Sequence, residues 1–242
     1  MLAPTVVFDL DGTLIDTAPD LVATLNTIFA HEGLPPVAYE SARNMVGGGA
    51  RAMIERGLKA EGRKLPDAEV DRMFHNFIAH YGAHIADHSR PFTGAEMALD
   101  ELAGRGYRLA VCTNKLEWLS VRLLEALCLS RRFAAICGAD TFGVQKPEPE
   151  ILRRTIGRAG GHPDAAVMVG DSATDIATAR AAGIPVVAVD FGYSQPPVAE
   201  FGPDRLVSRF ADLPAAVFDL IGQPQDELQA MVNTDLPHRR HT

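Results

Sequence analysis

The sequence predicts an α/β fold: a parallel sheet covered by helices on both faces, with a small helical unit inserted after the first strand. Three observations carry this expectation. Short β-branched runs such as Val6-Val7-Phe8 and Val186-Val187-Ala188-Val189 suit strands buried on both faces. From about residue 91 onward, such runs alternate with amphipathic helices and short turns, the pattern of a parallel sheet. Residues 34–82, by contrast, hold helical periodicity and no convincing strand. The 242 residues suit one large domain or two unequal ones, enough to bury a substantial core.

The first strand is expected over residues 5–9, running into the acidic turn Asp9-Leu10-Asp11-Gly12-Thr13. A helix should start at Thr17-Ala18-Pro19-Asp20, with Thr17 as its cap, Pro19 tolerated in the first turn and Asp20 at the positive end. Leu21, Leu25, Ile28 and Phe29 repeat at helical spacing, and Gly33 stops the helix. Pro35-Pro36 breaks the chain. A short helix over residues 39–45 then leads into Gly47-Gly48-Gly49, another runs over 50–59, and a longer one starts near Asp67. On that last helix Val70, Met73, Phe74, Phe77, Ile78 and Tyr81 share one face. Helix–strand pairs follow at 94–105 and 107–112, 116–127 and 133–137, 149–158 and 166–169, and 173–182 and 186–189. A strand near 206–207 and a helix over 212–221 close the edge, and residues 223–242 read as a flexible tail. The two connections to the helical unit, near Asp16 and across residues 84–91, are placed to form a hinge.

Lys and Arg total 23 against 31 Asp and Glu, a net charge of −8. That balance argues against nucleic acid as a partner, which needs clustered basic residues, but not against a small anionic substrate met by local charge. No apolar run approaches the ~18 residues of a membrane span, and the first residues lack the basic start of an export signal. Cys112, Cys128 and Cys137 are odd in number and form no CxxC pair, so they read as small core residues in a reducing compartment. A cytoplasmic enzyme without membrane contact, monomeric or homodimeric, is the expectation.

Parallel sheets bind ligands at the carboxyl ends of their strands, and the chemistry-bearing residues fall there. Asp9 and Asp11 follow the first strand; Asp171 and Asp175, four apart at a helix start, follow the strand ending at Val169-Gly170. Neighbouring carboxylates repel and need a cation, a shared proton or donors. Gathered oxygen ligands suit Mg²⁺. Strand 107–112 delivers Thr113-Asn114-Lys115, and Gln145-Lys146-Pro147 precedes another helix. Together these residues make a phosphate-sized set: a nucleophilic carboxylate, a metal, a hydroxyl donor and an ammonium. His80, His84 and His88 recur every four residues, but Gly82 and nearby Pro91 weaken a helix there, so they read as a solvated hinge face. Trp118 and Tyr193 read as packing residues or contacts to the inserted helical unit.

With these residues in order, the chain resembles the haloacid dehalogenase-like superfamily, and specifically its phosphoglycolate phosphatase type. The four motifs are Asp9-Leu10-Asp11-Gly12-Thr13, Thr113, Lys146, and Gly170-Asp171-Ser172 with Asp175. The resemblance implies a Rossmann-like core of residues 1–16 and 85–222 and a helical cap of residues 17–84. It implies that Asp9 attacks phosphorus to form an aspartyl-phosphate and that Asp11 acts as acid and then base. Mg²⁺ would sit on Asp9, the backbone carbonyl of Asp11 and Asp171, with Asp175 in support. Lys146 would neutralise charge, and Thr113 and the Asn114 backbone would hold phosphoryl oxygens. The stretches from Phe8 to Leu21, Val46-Gly47-Gly48-Gly49-Ala50-Arg51 and Phe191-Gly192-Tyr193 favour 2-phosphoglycolate as substrate, its carboxylate meeting the Gly48 turn with Arg51 or Arg43. The alternative for that turn is a helix break that lets two cap helices pack. The alternative substrate is a phosphorylated amino sugar acid, N-acetylmuramate 6-phosphate. A sugar-phosphate mutase shares the core residues, whereas a non-catalytic relative is expected to lose Asp9, Asp11 or Lys146.

Overall fold

The computed structural model describes residues 4–222 and Pro224, so the expected 223–242 tail otherwise lies outside the described residues. Strand β1 (Thr5–Phe8) is wholly buried and is followed by a two-residue strand, β2 (Ile15–Asp16). Four helices come next: α1 (Ala18–His31), α2 (Tyr39–Arg43), α3 (Ala50–Ala60) and α4 (Asp67–Ala83). Strand β3 (Arg90–Pro91) returns the chain, and α5 (Ala95–Gly104), β4 (Arg108–Cys112), α6 (Glu117–Ala126) and β5 (Ala135–Cys137) follow. Then come α7 (Pro149–Arg158), β6 (Ala166–Gly170), α8 (Ala173–Ala182), β7 (Val186–Val189), β8 (Arg205–Val207) and α9 (Leu213–Ile221).

Six strands form one sheet in the order β5-β4-β1-β6-β7-β8, every neighbouring pair parallel. Alternation along each strand separates two cores. Val6, Phe8, Leu109, Val111, Val167 and Val169 enter one, with α5, α6, α9 and the inserted helices. Val7, Ala110, Cys112 and Met168 enter the other, under α7 and α8. The run-on apolar strands follow from this, since neither face meets water. Among the described residues, no helix is long and apolar enough to cross a membrane.

The inserted helices are joined to the sheet by an antiparallel ribbon. Ile15 pairs with Pro91 and Asp16 with Arg90. Two residues per strand carry no periodicity, so the sequence places a hinge at these connections without showing the pairing within it. The second connection is also tied to α1: the Asp20 carboxylate accepts hydrogen bonds from the backbone N–H groups of His88 and Ser89 and from Ser89 Oγ at 2.6 Å.

Several boundaries differ from expectation for local reasons. Thr17 precedes α1 but its side chain does not cap it; its hydroxyl goes to Asp11 Oδ1 at 2.8 Å instead. Helix α2 stops at Arg43 rather than residue 45, where the chain turns toward the glycines. Helix α4 ends at Ala83, so the three histidines share no helix face. His80 meets Thr24, and His84 stacks on His80 and pairs with Asp87.

Candidate active site

β1 and β6 are neighbours, so the residues that leave their carboxyl ends emerge side by side. The Asp9 N–H donates to the Val169 carbonyl at 2.9 Å, and Asp171 follows Gly170. Asp9, Asp171 and Asp175 are all buried, with carboxylate oxygens within 4.8 Å of one another. Asp175 reaches this point from the first turn of α8. It closes a capping box with Ser172, its Oδ2 accepting from Ser172 N and Oγ. Its Oδ1 accepts from Lys146 Nζ at 2.6 Å. Asp171 accepts from Thr13 Oγ1 at 3.0 Å and from the Tyr193 N–H at 2.8 Å.

The turn after Asp9 must pass close to this floor. Gly12 has φ +82°, and a Cβ there would lie 2.6 Å from Asp171 Oδ2. Only glycine meets both demands.

Lys146 Nζ also lies 2.9 Å from Asp9 Oδ1, an ion pair, but off the line a hydrogen bond needs, so that oxygen is buried without a hydrogen-bond partner. Burial opposes the lysine's charge, yet Asp175 and Asp9 outweigh it and push its pKa up. For the acids, burial dominates and acts the other way. It raises Asp9 to about 6 against the pull of Lys146, with Asp175 adding to the rise. It raises Asp171 to about 8, helped by Asp175 and Asp9. An orphaned carboxylate oxygen within an all-oxygen cluster fits a hard divalent cation.

Asn114 clamps Lys146 in place. Its Oδ1 accepts from the Lys146 N–H at 2.9 Å and its Nδ2 donates to the Lys146 carbonyl at 3.1 Å. The Asn114 side chain is therefore committed to Lys146, which leaves only its backbone for the expected phosphoryl contact. Thr113, almost fully buried after β4, accepts from the Lys115 N–H.

Asp11 stands apart from the cluster. Both its oxygens accept from Lys115 Nζ, at 2.8 and 2.9 Å. It is also where the floor meets a cavity of about 220 Å³ between the sheet ends and the inserted helices, lined by Gly47, Gly48, Gly49, Tyr81, Asn114 and Lys115 among others. Asp9 lies deeper and does not line it.

The glycine turn does not behave as three equal residues. Gly47 and Gly49 hold positive φ, +108° and +84°, whereas Gly48 does not. A Cβ on Gly49 would lie 3.4 Å from the Asn114 carbonyl, so Gly49 is where this turn meets the sheet side. Gly48 instead faces Ala52 and Arg56 within its own unit. Arg51 borders the cavity, but its guanidinium pairs with Glu55 and Asp71. Arg43 lies over the Tyr193 ring and donates to the Phe191 and Gly192 carbonyls.

Sequence reasoning gave no specific role to Thr13 or Lys115, and read Tyr193 only as a packing residue or a contact to the inserted helices. Thr13 belonged to a recognised motif and Lys115 adjoined Thr113, so adjacency was a signal for both. Tyr193 joins Asp171 through its backbone and Asp16 and Ala18 through its hydroxyl; nothing local in sequence connects residues 193 and 16.

Comparison with known proteins agrees with this geometry. A profile of haloacid dehalogenase-like hydrolases matches residues 6–189. A phosphoglycolate phosphatase of Mesorhizobium japonicum is 52% identical over 87% of this chain and 92% of its own length. One from Agrobacterium fabrum is 47% identical over 90% and 94%. Among solved structures, a predicted phosphoglycolate phosphatase from Haemophilus somnus superposes with a TM-score of 0.82 at 30% identity, covering 88% of this chain and 97% of that one. With the profile spanning most of the chain and these relatives spanning nearly all of it, the protein belongs to the haloacid dehalogenase-like hydrolase family.

Proposed function

We propose that this chain is a cytoplasmic phosphatase that hydrolyses 2-phosphoglycolate to glycolate and phosphate. The observation that carries the reading is a buried carboxylate, Asp9, beside a buried ammonium, Lys146, beneath a floor whose second acid, Asp11, lines a small cavity. The names and close similarity of the relatives support the substrate. Residues 17–84 act as a cap over a core of residues 1–16 and 85–222, with the β2–β3 ribbon as the joint.

Asp9 attacks phosphorus and holds the phosphoryl group as an aspartyl-phosphate. Asp11 gives a proton to the leaving glycolate oxygen, then takes one from the water that breaks the intermediate. Lys146 offsets the negative charge of Asp9 and the phosphoryl oxygens, and Thr113 with the Asn114 backbone N–H holds those oxygens. The oxygen set suits Mg²⁺, which Asp9, the Asp11 carbonyl and Asp171 would hold, with Asp175 orienting Lys146 and the cluster behind them. When bound, Mg²⁺ supplies positive charge to the phosphoryl oxygens. Closure of the cap excludes bulk water.

At about 220 Å³ the cavity falls below the ~300 Å³ where pockets for drug-sized ligands begin. That favours a two-carbon acid over N-acetylmuramate 6-phosphate. The test is a phosphate-release panel in Mg²⁺ with 2-phosphoglycolate, N-acetylmuramate 6-phosphate, hexose phosphates and pyrophosphate. The expected result is highest kcat/KM on 2-phosphoglycolate, falling at least ~10³-fold in Asp9→Asn. Good turnover of the amino sugar acid phosphate with none of 2-phosphoglycolate would transfer the assignment, and an active, folded Asp9→Asn protein would remove the covalent route.

A further inference from the structure

The phosphoryl end of the substrate is accounted for by the floor, but its carboxylate needs a cation or donors of its own. Two cations line the cavity, Arg51 and Lys115. Arg51 is an exposed residue already matched by Glu55 and Asp71, with Asp67 at 3.9 Å. Lys115 is different. Its side chain is 5% exposed, and the hydrogen bonds of its ammonium go to one residue, Asp11. An ammonium has three N–H donors, and two distances to Asp11 account for two of them.

Its surroundings also point to a ligand. Nζ lies 4.6 Å from the centre of the Tyr81 ring, contributed by α4. The Tyr81 hydroxyl is buried without a hydrogen-bond partner, and Tyr81 lines the same cavity. An unpartnered buried hydroxyl is costly unless something polar arrives.

Covalent geometry supplies the link. In 2-phosphoglycolate a single methylene separates the ester oxygen from the carboxylate carbon. The residue that protonates the ester oxygen therefore sits next to whatever binds the carboxylate. Asp11 holds that position in the mechanism above, and Lys115 is its direct hydrogen-bonded neighbour. We propose that Lys115, backed by Tyr81, is the residue that receives the substrate carboxylate and so selects a phosphorylated 2-hydroxy acid over a neutral phosphate ester. In the free protein Asp11 holds the ammonium in place; with substrate bound, the ammonium is shared between Asp11 and the incoming carboxylate. Recognition then comes from the core beside the reacting atoms, with the 47–49 turn closing over it. This inference rests on the 2-phosphoglycolate reading.

The test compares 2-phosphoglycolate with ethyl phosphate, which keeps the two-carbon skeleton and puts a methyl where the carboxylate stands. Full-length wild type, Lys115→Met and Lys115→Gln are assayed for kcat and KM in Mg²⁺, with thermal melting to establish that each is folded. The quantity read is the ratio of the two kcat/KM values, because loss of the Asp11 contact alters both substrates together. The ratio is expected to fall about 10- to 100-fold in either neutral variant, the range for losing one hydrogen bond to a charged group. The loss should appear mainly in KM for 2-phosphoglycolate, and Lys115→Arg should retain most of the preference. A folded neutral variant with an unchanged ratio overturns the assignment and moves the carboxylate to the glycine turn. A wild type with no preference for 2-phosphoglycolate over ethyl phosphate defeats the substrate reading itself, and the role of Lys115 with it.

Discussion

Asp171 is enclosed by Thr13, the Tyr193 backbone and two further carboxylates, and burial with those charges raises its pKa to about 8. An unfolded aspartate titrates near ~4. Between those values the metal-free folded chain binds more protons than the unfolded chain, so its stability falls as pH rises. The stabilising proton is fully present below about pH 4 and lost through about pH 8. In EDTA, the melting temperature should therefore be higher at pH 5.5 than at pH 8.5. Asp171→Asn should flatten that slope and raise the melting temperature at pH 8.5, while raising the Mg²⁺ needed for activity. A metal-free wild type that becomes more stable from pH 5.5 to 8.5 would contradict the enclosure argument. Asp9, Asp11, Asp171 and Lys146 were legible in the sequence because each follows or precedes a recognisable element at one end of the sheet. The partner of Asp11 was not. Lys115 looks like any surface lysine until the fold brings residue 115 against residue 11.

The elements were legible wherever hydrophobic period or a breaker was strong. Helices α7 and α8 and strand β7 begin and end where the pattern places them, since Pro149, Ser172 and Gly183 punctuate the chain there. The β2–β3 ribbon was not, because it is held by backbone pairing and by Asp20 rather than by composition. Asp20 is 3% exposed and gathers three donors from His88 and Ser89. Asp20→Ala leaves those donors unmet in the joint between helices and sheet. It should lower unfolding free energy by roughly 2–3 kcal/mol, the scale of losing hydrogen bonds to a charged acceptor. Denaturant titration would measure it, with the denaturant slope unchanged if the native fold persists. A loss below ~0.5 kcal/mol would mean that the ribbon holds without Asp20.

Across the whole molecule, one side chain spans three parts. Tyr193 takes its place after β7, binds Asp171 through its N–H, donates from its hydroxyl to Asp16 Oδ1 at 2.6 Å and accepts there from the Ala18 N–H at 3.0 Å. Tyr193→Phe keeps the packing and the Asp171 contact but cuts the tie to the start of α1. The expected cost is about 1–2 kcal/mol, or about 2–8 °C in melting temperature for a chain of this size. Mg²⁺ affinity should hold, whereas a fall in that affinity with no change in melting would mean that the tyrosine serves the metal site alone. The strand order carries a further consequence. β1 lies between β4 and β6, so the earliest strand to leave the ribosome has no neighbour until β4 is made and lacks its second until β6. The four helices between residues 18 and 83 are contiguous, and their contacts with one another close within that stretch, before β4 is made. During synthesis the inserted helices are therefore complete before any strand that flanks β1 exists. Asp9 waits at the end of an apolar strand that lacks its second neighbour until more than a hundred further residues have been made. A nascent chain halted before β6 would carry the helices and an apolar strand with one open edge, but neither Asp171 nor Asp175.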